Sequence, residues 1–233
     1  MIVFGKNVAK EVIDSNKEIK RAYLTKNFDE KNIVKYLEDN NISIKYIDKR
    51  EMDNKYKGNN QGIVLEIEDY KYKKLEDINN SKFIVMLDHL EDPHNLGAII
   101  RTCEAAGVDA IIIPKRRSVE INSTVMKVSA GALNNIDIVE VNSLAQTIDI
   151  LKKYGYWIYG TDMEDSVNYT DLVYDEKTCL IIGAEGNGIS RLVKDKCDFI
   201  IKIPMFGKIN SLNASVAAGI VIYEVVRQKT KGE

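Results

Sequence analysis

Residues 83–101 read Phe83-Ile84-Val85-Met86-Leu87-Asp88-His89-Leu90-Glu91-Asp92-Pro93-His94-Asn95-Leu96-Gly97-Ala98-Ile99-Ile100-Arg101, and their polarity pattern sets the fold class. Phe83–Leu87 is an apolar, strand-like run. Asp92 and Pro93 make a turn, and Asn95 is placed to cap the helix that follows. Gly97, in the first turn, lets a ligand or another backbone come close. It shares a face with Arg101 four residues on. Taken alone, the stretch is either a capped helix with a solvated arginine or a guanidinium held at the mouth of a cleft.

The same rhythm recurs to the end of the chain. Further strand-like runs are expected at 110–113, 136–139, 156–159, 179–182 and 199–203. Helical patterns are expected at 95–106, 123–132, 144–154, 189–194 and 212–228. Strands alternating with helices predict an α/β fold with a mainly parallel sheet covered by helices on both faces. Upstream, residues 1–68 read as a small α/β unit with helices near 8–13 and 29–40 and strands near 19–24, 42–47 and 62–67. The charged stretch 69–82 reads as a linker, leaving 83–233 as the main domain.

Composition narrows the function classes. A length of 233 residues allows one large domain or two modest ones, and 45% hydrophobic with 29% charged residues is ordinary for a globular chain. A formal charge of −2 supplies no global field toward RNA or an anionic membrane, so any RNA is held by local basic patches. Cys103, Cys179 and Cys197 show no paired spacing and read as buried thiols of a reducing, cytoplasmic setting. Two histidines make a zinc site improbable, and no metal is expected. No run approaches the roughly 20 apolar residues that a membrane span needs, and the start of the chain does not read as a signal peptide.

Two more segments place glycines and polar groups after apolar runs. Ile182-Gly183-Ala184-Glu185-Gly186-Asn187-Gly188-Ile189 spaces its glycines three then two apart, the reverse of the dinucleotide fingerprint. Glu185 either caps a turn or fixes a polar partner from another segment. Ile203-Pro204-Met205-Phe206-Gly207 runs on to Ser211-Leu212-Asn213-Ala214-Ser215, where Ser211 or Asn213 can cap a long last helix. The small residues 214–219 serve tight packing against the sheet or a subunit interface.

With Lys127-Val128-Ser129-Ala130-Gly131-Ala132, these three segments resemble the motifs of the SpoU (TrmH) family of RNA ribose 2′-O-methyltransferases, in the SPOUT superfamily. The resemblance implies an α/β domain closed by a C-terminal deep trefoil knot, and S-adenosylmethionine as cofactor. It implies cofactor contacts at Thr161, Gly183, Gly186, Ile203, Met205 and Leu212, and a catalytic set of Asn95, Arg101, Glu185, Ser211 and Asn213. Arg101 is the general base in one account. A guanidinium stays protonated in proteins, so a phosphate clamp is the other.

Residues 1–68 resemble the L30e-like substrate-binding domain of the 23S rRNA guanosine methyltransferases, through Ile2–Val8 and Asn60–Val64. Asn60 stands where relatives often have histidine. Lys6, Lys10 and Arg21, and separately Arg116 and Arg117, are candidate RNA contacts. The resemblance thus implies a homodimeric enzyme that methylates a guanosine of 23S rRNA. Alternatives are a tRNA guanosine methyltransferase and an rRNA adenosine methyltransferase of the antibiotic-resistance type.

Overall fold

The computed structural model describes residues 1–184, 186 and 188–230. Two compact units emerge: Met1–Lys71 with Ile121–Lys127, and Tyr72–Glu120 with Val128–Glu233.

The first unit holds β1 (Ile2–Phe4), α1 (Lys6–Asp14), β2 (Ile19–Thr25), α2 (Lys31–Asp39), β3 (Ile44–Ile47), α3 (Lys49–Lys55) and β4 (Ile63–Ile67). Its sheet runs β1-β4-β2-β3, with β4 antiparallel to both neighbours and β3 parallel to β2. The helix α2 forms where Ile33 and Leu37, one turn apart, both bury. Asn60 is buried, donates from Nδ2 to Asp53 Oδ1 at 2.8 Å and accepts from Gly62 N at 3.0 Å. The residue that departs from the family pattern is therefore an internal tie of this unit.

The second unit contains β5 (Phe83–Asp88), α4 (Pro93–Ala105), β6 (Ala110–Pro114), β7 (Asp137–Val141), α6 (Leu144–Lys153), β8 (Trp157–Thr161), β9 (Val167–Asn168), β10 (Thr178–Gly183), α7 (Arg191–Lys194), β11 (Phe199–Lys202) and α8 (Ala214–Thr230), with α5 (Ser123–Ser129) crossing the division at Val128. Seven strands lie in the order β7-β6-β5-β10-β8-β11-β9, and every pairing is parallel. Both faces are covered, which is why the strands read as unbroken apolar runs. On one face Ile84, Met86, Ile112, Ile158 and Ile181 pack with Leu144, Ile148 and Leu151 of α6. Burying each such side chain stabilises by about 1.5–3 kcal/mol. On the sheet's other flank α8 packs on β10, and α4 packs on α8.

The expected linker has structure at its far end. Lys73 N donates to Ile138 O at 2.9 Å, and a 3-10 turn at Leu75–Ile78 buries Ile78 in the core beside Met86 and Tyr156. Two apolar residues among many charges anchor this stretch.

The strand order positions the site. From β5 the chain steps outward through β6 to β7, whereas β10, β8 and β11 lie on the other side. The reversal falls between β5 and β10, and open α/β sheets keep ligands beyond the strand ends at such a point. There the last residues of the two strands, Asp88 and Gly183, are register partners.

Candidate active site

Two polar contacts knit the segments that follow these strand ends, and a third lies within the first. Asp88 is 1% exposed. Its Oδ2 accepts from Ser190 N at 2.6 Å, which ties the first segment to the second. Its Oδ1 meets Nδ1 of His89. Asn213 Nδ2 donates to Asn95 Oδ1 at 3.0 Å, which ties the first segment to the third.

The cap of α4 differs from expectation. Asp92, not Asn95, holds the helix start, accepting from His94 N at 3.0 Å and Asn95 N at 3.4 Å. Pro93 explains the shift, because proline suits the first helical position and places the cap one residue before it. Asn95 is freed from capping, is buried, and spends its carbonyl oxygen on Asn213. At the start of α8 the cap is Asn213, whose Oδ1 accepts from Ser215 N at 3.0 Å.

A cavity of about 540 Å³ opens at the ends of β8, β10 and β11. Thr161, Gly183, Gly186, Ile203, Met205 and Leu212, the six expected cofactor contacts, all line it, and so does Ser211. Its volume falls in the ordinary range of small-molecule sites, about 300–1,000 Å³. The glycine spacing now has a cause. Ala184 and Gly188 exchange reciprocal backbone hydrogen bonds of 3.1 Å, closing a narrow loop. A Cβ on Gly183 would lie 2.1 Å from the carbonyl carbon of Gly188, so no side chain fits. Gly188 itself has φ +63°, where a side chain is strained. Thr161 braces the strand end, donating to Ile181 O at 3.0 Å and accepting from Gly183 N at 3.4 Å. Asp162, Glu164 and Lys202 also line it, and Lys194 Nζ meets Asp162 Oδ1 at 3.1 Å.

A second cavity, about 530 Å³, lies across Ala184 and Gly188, which line both. Ionisable and amide side chains surround it: Asp88, His89, Glu91, Asp92, Asn95 and Arg117. Sequence reading missed Asp88, His89 and Ser190. The available signal was an acidic residue ending a five-residue apolar run.

The other expected residues fall as follows. Arg101 is exposed on α4 and lines neither cavity. Glu185 lies outside the described residues. Lys6 pairs with Asp29 at 2.6 Å and Glu30 at 3.2 Å, and Lys10 with Glu30 at 3.1 Å. The Asp29 carboxylate, hydrogen-bonded to Lys6, raises the Lys6 ammonium above its ordinary value, and Lys6 in turn holds Asp29 low. Arg21 is exposed beside Tyr23, with its guanidinium raised chiefly by a hydrogen bond to the Tyr23 side chain. Arg116 and Arg117 are exposed after β6, and neither has an ion pair among the described residues. On α8 the small residues serve packing, with Ala214 and Ala218 buried and the Cβ position of Gly219 3.8 Å from Thr102 Cγ2. The same helix leaves Val216 and Tyr223, two turns apart, each 50% exposed.

Comparison with known proteins agrees with this architecture. Residues 82–223 match the SpoU rRNA Methylase family, and residues 2–73 match the RNA 2′-O ribose methyltransferase substrate-binding family. The chain belongs to the SpoU family and is an RNA methyltransferase. It is 41% identical, over 98% of its length and 96% of the relative, to a Staphylococcus haemolyticus protein assigned to the TrmH family of tRNA/rRNA methyltransferases. Against YacO of Bacillus subtilis, similarly assigned, identity is 39% over 97% of this chain and 95% of that one. Among solved structures, the SpoU methyltransferase AviRb of Streptomyces viridochromogenes, in complex with AdoMet, shares the fold. Its TM-score is 0.81 at 23% identity, covering all of this chain and 91% of that chain.

Proposed function

We propose that this enzyme moves a methyl group from S-adenosylmethionine to a ribose 2′-hydroxyl of RNA, and that its target is a guanosine of 23S rRNA. The observation that carries the reading is the convergence of all three segments on two adjoining cavities at the sheet's reversal point. The first cavity suits the cofactor: its glycine-rich lining leaves backbone groups facing the space, and Gly183 admits no side chain. Thr161, Gly183, Gly186, Ile203, Met205 and Leu212 would hold it there. Bound, the cofactor offers an electrophilic methyl on a sulfonium, a good leaving group, so the protein's work is alignment and proton uptake.

Asn95, fixed by Asn213, and Ser211 orient the ribose or its phosphate, with Glu185 as a further orienting group. Arg101 clamps the phosphate and steadies developing negative charge. Arg101 lines neither cavity of its own chain, and we assign its clamp to the site of a second copy. A homodimer through α8 fits, since Val216 and Tyr223 are exposed on that helix and Arg101 adjoins Thr102, which packs on it. Threading of the last segment through a loop, as the deep trefoil knot of SPOUT proteins, belongs to the same reading. So do RNA contacts by Lys6, Lys10, Arg21, Arg116 and Arg117, and a cytoplasmic setting. Burial holds the Cys103 and Cys179 thiols far above their ordinary range and pushes Cys197 up to about 12, as inert free thiols require.

Tritium transfer from labelled cofactor to purified rRNA and tRNA, followed by mapping of the methylated nucleotide, tests the proposal. Label in a 23S guanosine is expected. Label in tRNA or at an adenosine would replace the substrate, and none in any RNA, assembly precursors included, would end the reading. The mass in solution tests the dimer; a monomer overturns it.

A further inference from the structure

A ribose presented to the cofactor brings its base with it, so the side chains around the ribose decide which base is accepted. Asn95, assigned above to the ribose, lines the second cavity, which adjoins the first across Ala184 and Gly188. Asp88, His89, Glu91, Asp92 and Arg117 line it too. Most of these are occupied within the protein. Asp88 faces His89 with one oxygen and accepts from Ser190 N with the other. Asp92 holds the backbone N–H groups of His94 and Asn95. Glu91 and Arg117 are different: both are exposed, and neither side chain has an ion pair or a hydrogen bond among the described residues.

The turns that carry these two residues are tied together. Leu90, 3% exposed, accepts on its carbonyl oxygen from Val119 N at 2.9 Å and from the Ser118 hydroxyl at 3.2 Å. Glu91 follows Leu90, and Arg117 precedes Ser118. An unpaired carboxylate and an unpaired guanidinium are thus held beside one cavity of about 530 Å³ without neutralising each other. That volume is within the ordinary range of small-molecule sites. An unpaired cation and anion on one lining call for a ligand that offers donors to one and acceptors to the other.

The four RNA bases differ in the edges that such a pair can grip. A carboxylate accepts two parallel bonds where two donors are adjacent, and a guanidinium gives two where two acceptors are adjacent. Guanine has both edges: N1–H beside the 2-amino group, and O6 beside N7. Adenine and cytosine each carry one amino donor flanked by an acceptor, and uracil one N–H between two carbonyl oxygens. We propose that the second cavity reads the base as guanine. Glu91 accepts from N1–H and the 2-amino group, and Arg117 donates to O6 and N7. The two edges adjoin on one ring, so the two side chains grip neighbouring sides of it. The assignment rests on the methyl-transfer reading above and concerns its choice of base.

The test is methyl transfer by the full-length enzyme to the rRNA segment that carries the guanosine located by the mapping above. The segment is synthesised with guanosine, inosine, 7-deazaguanosine or adenosine at that position. Inosine lacks only the 2-amino group of guanosine, and 7-deazaguanosine only the N7 acceptor. Wild type should prefer guanosine to each of the others, in kcat/KM, by about tenfold or more. Glu91→Ala should erase the preference over inosine and keep the preference over 7-deazaguanosine. Arg117→Ala should do the reverse. Thermal melting and titration with S-adenosylmethionine should match wild type for both variants, since each side chain is exposed and unpaired. A wild type that treats guanosine and inosine alike overturns the assignment and leaves guanosine methylation standing. Variants that keep both preferences overturn it too. So does a variant that lowers kcat/KM on all four RNAs alike, as loss of a phosphate or subunit contact would. If no guanosine is labelled in any RNA, the guanosine reading itself fails, and this assignment falls with it.

Discussion

The two cavities at the sheet's reversal point are nearly equal in size and differ in what they add to a mixed polar and apolar lining: glycines and aliphatic side chains in the first, a histidine and an arginine in the second. The first is walled by Gly183, Gly186 and Gly188, three alanines and apolar side chains, with Asp162, Glu164 and Lys202 as its charged members. The second is walled by carboxylates, a histidine, an asparagine and an arginine. Ionisable side chains define a chemistry that pH can change. On the proposed reading the first cavity holds the cofactor and the second the ribose, and the two share Ala184 and Gly188.

The sharpest way to break this contrast is Gly183→Ala. Its Cβ would meet the Gly188 carbonyl carbon at 2.1 Å, and the shared wall must move. Overpacking against backbone should cost about 3 kcal/mol or more, read by denaturant unfolding, and cofactor binding should vanish. Retained binding would mean that the first cavity does not owe its shape to this glycine. Next comes Asp88→Ala, which strips Ser190 N of its acceptor. A stability loss of about 1–3 kcal/mol is expected, with methyl transfer lost and cofactor affinity largely kept. An equal fall in cofactor affinity would erase the division of labour between the cavities.

A smaller effect tests the clasp between segments. In a double-mutant cycle of Asn95→Ala and Asn213→Ala, a coupling of about 1 kcal/mol is expected. Zero coupling would show that the Asn213–Asn95 bond of 3.0 Å holds nothing in solution. The smallest expected difference concerns basic residues. Arg116→Ala should lower the salt slope of RNA binding by about one. Lys6→Ala should change it less, because Asp29 and Glu30 already pair with that ammonium. A larger change for Lys6 would shift the RNA footprint to the first unit's carboxylate-paired face.

Much of this architecture was legible because period and apolar content decided it. The parallel strands read as buried runs, and six of the residues lining the first cavity were among those the family resemblance implied. What stayed hidden has physical causes. Val167–Asn168 is two residues long and at a sheet edge, too short for any pattern. The helix Lys49–Lys55 buries only Met52, so its polarity resembled a loop. Asn95 looked like a cap because asparagine usually is one, but Pro93 moved that duty to Asp92. For Arg101 the spacing to Gly97 left a solvated arginine and a cleft-held guanidinium both open. Helical spacing puts two residues on one face without saying what that face meets. The His89–Asp88 pair is adjacent in sequence, and only the turn at positive φ brings the ring back onto the carboxylate.

Ala184 and Gly188 belong to both cavities, so the two compartments share part of their wall. Any ligand that shifts this loop redraws the other compartment, and thermodynamic linkage makes the influence mutual. Whatever factor the first ligand contributes to the affinity of the second, the second returns to the first. Order of arrival then becomes a matter of concentration rather than of architecture.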